Sequence, residues 1–548
     1  MPRTQLARMI GSMFAERDGS ERLSRRAFLA RGTALGIGAI ALGSGALPAS
    51  AATPQRIAIV GAGISGLAAA LALRDKGIAA TVYEANRRVG GRMFSTVPGS
   101  YWAAGQVSEW GGELIDTDHT VIQSLAQRFG LPLDDLRAAM PAGATDTYYF
   151  DGHYYPYAQA KTDFEPVYAA LQKDLDSFNY PVTYDSNSSP AGIALSNMTA
   201  YDWIESRVPG GHRSLFGRLL DVAYTIEFGA QTAAQTALGL IGLLGYQSAP
   251  GAFDMFGTSD ERYHIRGGNQ QLPRAIAAAL APDAIQFGQR LVSLAVNNDT
   301  TQTLTFATDN GATRTVTADH TVLAVPLGVM KRIDFTQARF NARKQATYAA
   351  MPMGVNGKLQ LQFGSRLWNG TGAWPGRSTG ASYADTGYQN TWEVSRAQPG
   401  TQGILVDYVG GDVARSFTPD HAFGSSDNPK IHQYACEFLN QIEPVYPGLS
   451  ALWKGKALLS TWYLNPYSYG SYAYWPTRYC QYYAGYEGVR QGNVHFAGEH
   501  CSVNFQGYME GGAEEGQRAA GEIIADLGLA STGAVKFAGR LSRAEFDR

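Results

Sequence analysis

Three glycines and one acid carry the first chemical signal. The stretch RIAIVGAGISGLAAALALRDKGIAATVYEAN sets Gly61, Gly63 and Gly66 in a G-x-G-x-x-G pattern, with Glu84 18 residues after Gly66. Arg56 to Val60 reads as a short buried strand, Leu67 to Lys76 as a helix, and Ala80 to Tyr83 as a second strand ending at Glu84. In that context each residue type has a task. Gly61 permits the tight turn, Gly63 lets a pyrophosphate approach the backbone, and Gly66 lets helix and strand pack closely. Ile64 and Ser65 lie in the same cofactor-binding loop before the helix, whose free N–H groups and positive dipole end favour phosphate. Glu84 can accept hydrogen bonds from a ribose. A glycine turn in an ordinary strand–helix–strand unit does not account for the acid, so the set points to a dinucleotide site.

Other stretches could also do chemistry. ANRRVGGRMFS follows Glu84 directly and gives a second close-approach turn at Gly90 and Gly91, flanked by Arg88 and Arg92. Residues 467–476 read YSYGSYAYWP, with Tyr467, Tyr469, Tyr472, Tyr474 and Trp475 around one glycine. Such a run is either an aromatic-rich buried strand or the wall of a pocket for a flat ligand. In MGVNGKLQLQF, Leu359, Leu361 and Phe363 alternate with Lys358, Gln360 and Gln362. The second set is either a solvated polar face or holds a functional cation at Lys358.

The elements that position these residues belong to a long chain. At 548 residues, two or three domains are expected, interleaved in sequence. The 45% hydrophobic content is that of a globular protein, and no repeat or low-complexity tract stands out. Residues 1–51 read as a twin-arginine export signal: SRRAFLA, an uncharged run from Thr33 to Leu47, then small residues Ala49 to Ala51. That run is shorter than the roughly 20 residues of a spanning helix. The protein is therefore expected outside the cytoplasm, periplasmic or secreted, with no membrane anchor in its mature form. This leader holds seven arginines and three acids, so its removal takes the net charge from −2 to −6. That balance argues against a nucleic-acid partner and favours a cationic ligand. Cys436, Cys480 and Cys501 form no disulfide framework, and no metal-ligand spacing is visible. ALGLIGLLGY, residues 237–246, reads as a buried helix.

Glu84 followed by RVGGR resembles the FAD fingerprint of the flavin-containing amine oxidase family, which includes monoamine, polyamine and L-amino acid oxidases. The family often has arginine where Asn86 stands. Further stretches resemble it in order: EWGGELID, YHIRGGNQQLPRAIA, RLVSLAV, DHTVLAVPLGVM, GNVHFAGEH and GYMEGGAEEGQRAA. The resemblance implies an α/β fold, with a discontinuous Rossmann-like FAD domain from residues 53–115, 259–340 and 458–530. An α+β substrate domain from 116–258 and 341–457 would be interleaved with it, and 531–548 would be a polar tail. It implies that Arg88, Gly91 and Arg92 neighbour the diphosphate and that Gly111 and Gly112 pass the flavin. Val292 would meet the adenine side, Trp462 would stand near the ring, and Glu499 would face the ribityl chain or diphosphate. Gly507, Tyr508 and Met509 would start the helix aimed at the isoalloxazine.

By the same resemblance, Tyr472 and Tyr508 form an aromatic slot for the amine, and Lys358 is bridged by water to the flavin and assists O2 reduction. Ser471 stands where mitochondrial members have the cysteine that attaches FAD, which implies non-covalent FAD. The implied activity is oxidation of a small-molecule amine to an imine, hydrolysed to a carbonyl product, with O2 reduced to H2O2. Three alternatives remain. An L-amino acid oxidase needs a cation for the carboxylate; Glu113 to Gln127 contain no arginine, and Arg478 is the substitute in view. A dehydrogenase would pass electrons to a protein acceptor. A non-catalytic flavin-binding protein would do neither. A homodimer is left open.

Overall fold

The computed structural model describes residues 55–186, 188–249 and 251–529. The export signal expected at 1–51 and the tail at 531–548 lie outside them. The apolar run Ile57–Val60 is wholly buried and pairs in parallel with Thr81–Tyr83 on one side and His320–Leu323 on the other. Ile285–Gln286 and Val494–Phe496 complete a five-stranded parallel sheet. Its central strand, Ile57–Val60, reads as an unbroken apolar run because both faces are covered, as parallel sheets require. An antiparallel three-stranded sheet, Gln289–Val296, Gln302–Thr308 and Thr313–Ala318, fills the crossover between the third and fourth of these strands.

Two helices lean on the parallel sheet and on each other. Ile64–Arg74 follows the first strand, and Met509–Asp526 follows the last. They meet where side chains are missing. A Cβ on Gly516 would lie 2.0 Å from Ser65 O, and one on Gly512 would lie 3.0 Å from Ile64 Cγ2. Gly66 is likewise closed off, since its Cβ would lie 2.0 Å from Gly61 O. Gly61 itself sits at φ 104°, a conformation open to glycine.

The second layer is an eight-stranded mixed sheet. Its order is Phe423–Ser425, Trp453–Thr461, Asn356–Phe363, Gly403–Gly410, Asn390–Glu393, Ser378–Ala384, Thr145–Phe150 and His153–Tyr155. Trp453–Thr461 runs across the boundary expected at 457/458. Helices between 157 and 244 cover part of this sheet, and Ala237–Leu244 is buried along its whole length. The strand Asn356–Phe363 is buried at every position. Leu359, Leu361 and Phe363 pack with Ile431, Ala435 and Phe438 of the helix Pro429–Ile442. Lys358, Gln360 and Gln362 are no solvated face. They meet the segment 103–113, with Gln360 Nε2 donating to Glu109 O at 3.0 Å and Gln362 Nε2 to Gln106 Oε1 at 2.9 Å. Among the described residues no helix is long and apolar enough to cross a membrane.

The glycine contact between the two helices sets a sign that propensity alone would reverse. Alanine is favoured over glycine inside a helix by about 1 kcal/mol. At Gly516 the obstacle is a backbone oxygen that no rotamer change can move. Gly516→Ala is therefore expected to destabilise the protein by about 1–3 kcal/mol, in the range of overpacked cores. Denaturant unfolding measures this, and an unchanged or raised midpoint would contradict the packing described here.

Candidate active site

Residues from both layers line one cavity of about 350 Å³. At one end lie Gly61, Gly63, Ile64, Ser65, Glu84, Arg88, Gly91 and Arg92. Glu84 fixes the loop: its Oε2 accepts from Ala62 N at 2.7 Å, and its Oε1 from Asn86 N at 2.8 Å. Arg88 donates to Gly91 O at 2.7 Å and lies 3.9 Å over the Phe94 ring. Burial lowers the Arg88 guanidinium to about 10. Gly66 packs behind the loop and does not line the cavity. Leu291, not Val292, faces it beside Gln289 and Arg290. A register shift between Leu291 and Ser293 turns Val292 away, and Val292 O instead accepts from Asp334 N.

The middle of the cavity is held by Glu499, which is buried. Its Oε1 accepts from Arg92 Nη1 at 2.9 Å and from Ala473 N at 3.2 Å. Its Oε2 accepts from Gly507 N at 2.9 Å. Arg92 Nη1 also donates to Ser471 O at 2.7 Å. Gly111 and Gly112 line the cavity beside Arg92 and Met509. A Cβ on Gly111 would lie 2.0 Å from Arg92 O and 2.9 Å from Trp462 Cζ2, and one on Gly112 would lie 2.9 Å from Met509 Sδ. Trp462 Nε1 donates to Trp110 O at 2.6 Å.

At the far end the substrate sheet enters, and here sequence reasoning missed several groups. Lys358 Nζ donates to Glu113 Oε2 at 2.5 Å and to Gly111 O at 3.2 Å. Both partners of this ion pair are buried. Trp392 Nε1 donates to Glu113 Oε1 at 3.0 Å, and Lys358 Nζ lies 5.2 Å over the Trp392 ring. Tyr472 and Tyr508 reach the same chamber. The Tyr472 hydroxyl donates to Ile226 O at 3.2 Å and lies 2.8 Å from that of Tyr408; its one proton being committed, Tyr408 is the donor. The Tyr508 hydroxyl lies 3.5 Å from Glu227 Oε1 and 3.4 Å from Ser259 Oγ. Burial pushes Glu227 up to about 7. Glu261 lines the chamber too. Arg478 does not: it is exposed and outside the cavity. Glu113 stands four residues after Glu109 in a stretch singled out for its glycines. Tyr408, Trp392, Glu227 and Glu261 carried no local signal.

A strand–glycine loop–helix cradle thus opens onto a chamber lined by aromatic rings and acids. A family model for flavin containing amine oxidoreductases matches residues 64–524, and the chain belongs to that family. It is 24% identical over 495 residues to the L-amino-acid oxidase of Mus musculus, covering 87% of this chain and 71% of that one. Two solved structures share the fold. Cyclohexylamine oxidase from Brevibacterium oxydans IH-35A gives a TM-score of 0.71 at 24% identity, over 87% of this chain and 100% of that one. Putrescine oxidase bound to putrescine gives 0.68 at 20% identity, over 86% and 99%. Membership implies a flavin cofactor, and the residues present fit it. A Cβ on Gly63 would meet nothing within 4 Å, so the loop leaves open space beside its backbone. Ser65 Oγ is buried beside it with no hydrogen-bond partner among the described residues, as a phosphate acceptor would use.

The Lys358–Glu113 pair makes the effect of a lysine substitution larger than a surface charge would give. Removing one partner of a buried pair leaves the other charge uncompensated, at about 3–5 kcal/mol. Lys358→Met is expected to lower stability on that scale, and Lys358→Met/Glu113→Gln to recover most of it. A double-mutant cycle by denaturant unfolding checks this. Additive losses would show that the two side chains do not act as a pair.

Proposed function

We propose that the protein oxidises a small-molecule amine at its α-carbon, using FAD held without a covalent bond, with O2 as the electron acceptor. The observation that carries this reading is the charge inventory of the cavity. Its cations are Arg88, Arg92, Arg290 and Lys358. Arg92 is engaged by Glu499 and Lys358 by Glu113, while Arg88 and Arg290 stand at the cradle end. The aromatic chamber leaves no arginine free for a substrate carboxylate, which an amino acid substrate would need.

Bound flavin supplies a two-electron acceptor for the amine and, once reduced, a donor to O2. The chain's own residues do the rest. Gly61 to Ser65, Arg88 and Glu84 would hold the dinucleotide, with the helix at Ile64 turning its N–H groups to the phosphates. Tyr472, fixed by Tyr408 and Ile226 O, and Tyr508 present ring faces that favour an amine nitrogen. The aromatic chamber disfavours the ammonium form and so favours the neutral amine that reacts. Lys358 commits two of its three N–H donors to Glu113 and Gly111 O, and the third can hold a water. Ser471, whose hydroxyl donates to Asn356 Oδ1 at 2.6 Å, lines the cavity, and among the described residues no cysteine does.

Two measurements test this reading. Under anaerobic conditions amines should bleach the flavin absorbance, and readmitted air should yield H2O2, with L-amino acids at least about 10-fold less effective in kcat/KM. Faster reaction with L-amino acids would replace the reading by amino acid oxidation, and bleaching without H2O2 would make the enzyme a dehydrogenase. Separately, acid precipitation should release all the yellow colour to the supernatant. Colour kept in a washed pellet would show a covalent bond.

A further inference from the structure

The acids of the cavity can be accounted for one by one, with the unpaired cations Arg88 and Arg290 standing at the cradle end. Glu84 accepts two backbone N–H groups, Glu499 takes Arg92, and Glu113 takes Lys358. Glu227 and Glu261 remain. Neither forms an ion pair among the described residues, and Arg137, whose charge acts on Glu261 from a distance, spends its Nε on Asp260 O at 2.8 Å. Behind them Asp116 is buried, its Oδ2 accepting from Ser259 Oγ at 2.7 Å and its Oδ1 from Glu261 N at 2.9 Å. Among the described residues no lysine or arginine lies on it, and the His119 ring, 3.5 Å from its Oδ2, is kept neutral by burial. Burial pushes Asp116 up to about 6 and Glu227 to about 7. The Tyr508 hydroxyl beside Glu227 ties this acidic wall to the aromatic slot. Uncompensated carboxylates in a chamber walled by Tyr383, Tyr408 and Trp392 are costly alone and favourable once a cation arrives.

We infer that the substrate is a diamine or polyamine, and that Glu227 and Glu261 hold its second, non-reacting ammonium. The inference rests on the amine-oxidising reading above and adds a specificity site to it. The division of labour follows from protonation. The nitrogen at the reacting carbon must be neutral, whereas a carboxylate pair stabilises a cation. The acids therefore suit the other end of the molecule. A monoamine would leave them unanswered, and an amino acid would bring a carboxylate toward them.

Binding and turnover test this on the flavin-loaded enzyme. Calorimetric titration compares α,ω-bisguanidinoalkanes from butane to octane with monoguanidines of equal length, which carry two and one cations and no oxidisable amine. The dication of best-fitting length should bind at least about 10-fold tighter than its monocation, the factor one charge-assisted contact supplies. Glu227→Gln and Glu261→Gln should each shrink that margin, with flavin content and melting temperature reporting that the variants fold. In turnover, the matching diamine should exceed the monoamine at least about 10-fold in kcat/KM, with the difference in KM. Equal binding of mono- and dications by the wild type at every length overturns the inference, as does a margin that survives both substitutions. Preference for L-lysine over every diamine also overturns it, since the acids would then serve an amino acid side chain. A dication margin without flavin reduction by any amine would uphold the subsite and remove the amine-oxidising reading instead.

Discussion

One buried carboxylate sets the geometry of everything around it. Glu499 collects N–H donors from three segments far apart in sequence: the Arg92 turn, Ala473 after the aromatic run, and Gly507 before the last helix. Each segment owns a different part of the cavity. The first belongs to the cradle, the second carries Tyr472, and the third delivers Tyr508 and Met509. A carboxylate away from water is tolerated only while its lone pairs are met, and each charge-assisted bond contributes about 1.5–3 kcal/mol. The spacing between the aromatic rings and the phosphate loop is therefore fixed by one side chain whose own position is over-determined.

The strand Asn356–Phe363 extends that logic to the second layer. Its apolar face packs on a helix, while its polar face meets the backbone of 103–113 through Lys358, Gln360 and Gln362, the last accepting from Ala103 N at 3.0 Å. That backbone belongs to the turn holding Gly111 and Gly112. Glu109 anchors the same turn from behind, accepting from Ser95 Oγ at 2.7 Å, Asn269 N at 2.8 Å and the His264 ring at 2.9 Å. The two layers are joined by buried polar contacts, the side chains of the strand reading the main chain of the turn. Such contacts fix register, since a one-residue slip would bury Leu359 against carbonyls and turn the lysine into the apolar core.

What could be read from sequence follows the range of the interactions. The glycine loop, Glu84 and the helix behind it are local, because turn geometry and helix dipole act within about 30 residues. The first strand was legible too, as a short buried apolar run, and Ala237–Leu244 from its continuous hydrophobicity, while the α/β layout of the whole domain came from the family resemblance. The chamber was not. Glu113 and Lys358 are 245 residues apart, and Glu227 meets Tyr508 across 281. No periodicity announces a pairing of that span. Lys358 also shows how alternation misleads: a polar stripe on a strand means a wet face only if nothing covers it. Val292 lies off the cavity wall for a smaller reason. A bulge moved the strand's inward side to Leu291, and a bulge is one extra residue that pattern counting cannot see.

The order of strands in the parallel sheet bears on how the protein comes into being. Ile57–Val60 sits at the centre, yet its partner His320–Leu323 is made some 260 residues later, and the edge strand Val494–Phe496 later still. Glu499 and the helix Met509–Asp526, which close the cavity, follow that edge strand. While the chain emerges from the ribosome, the phosphate loop exists without its walls. Long-range pairing of this kind is slow to form. Fragments ending before Tyr508 and the helix Met509–Asp526 would carry the fingerprint without Tyr508, Met509 and Gly512, which complete the cavity.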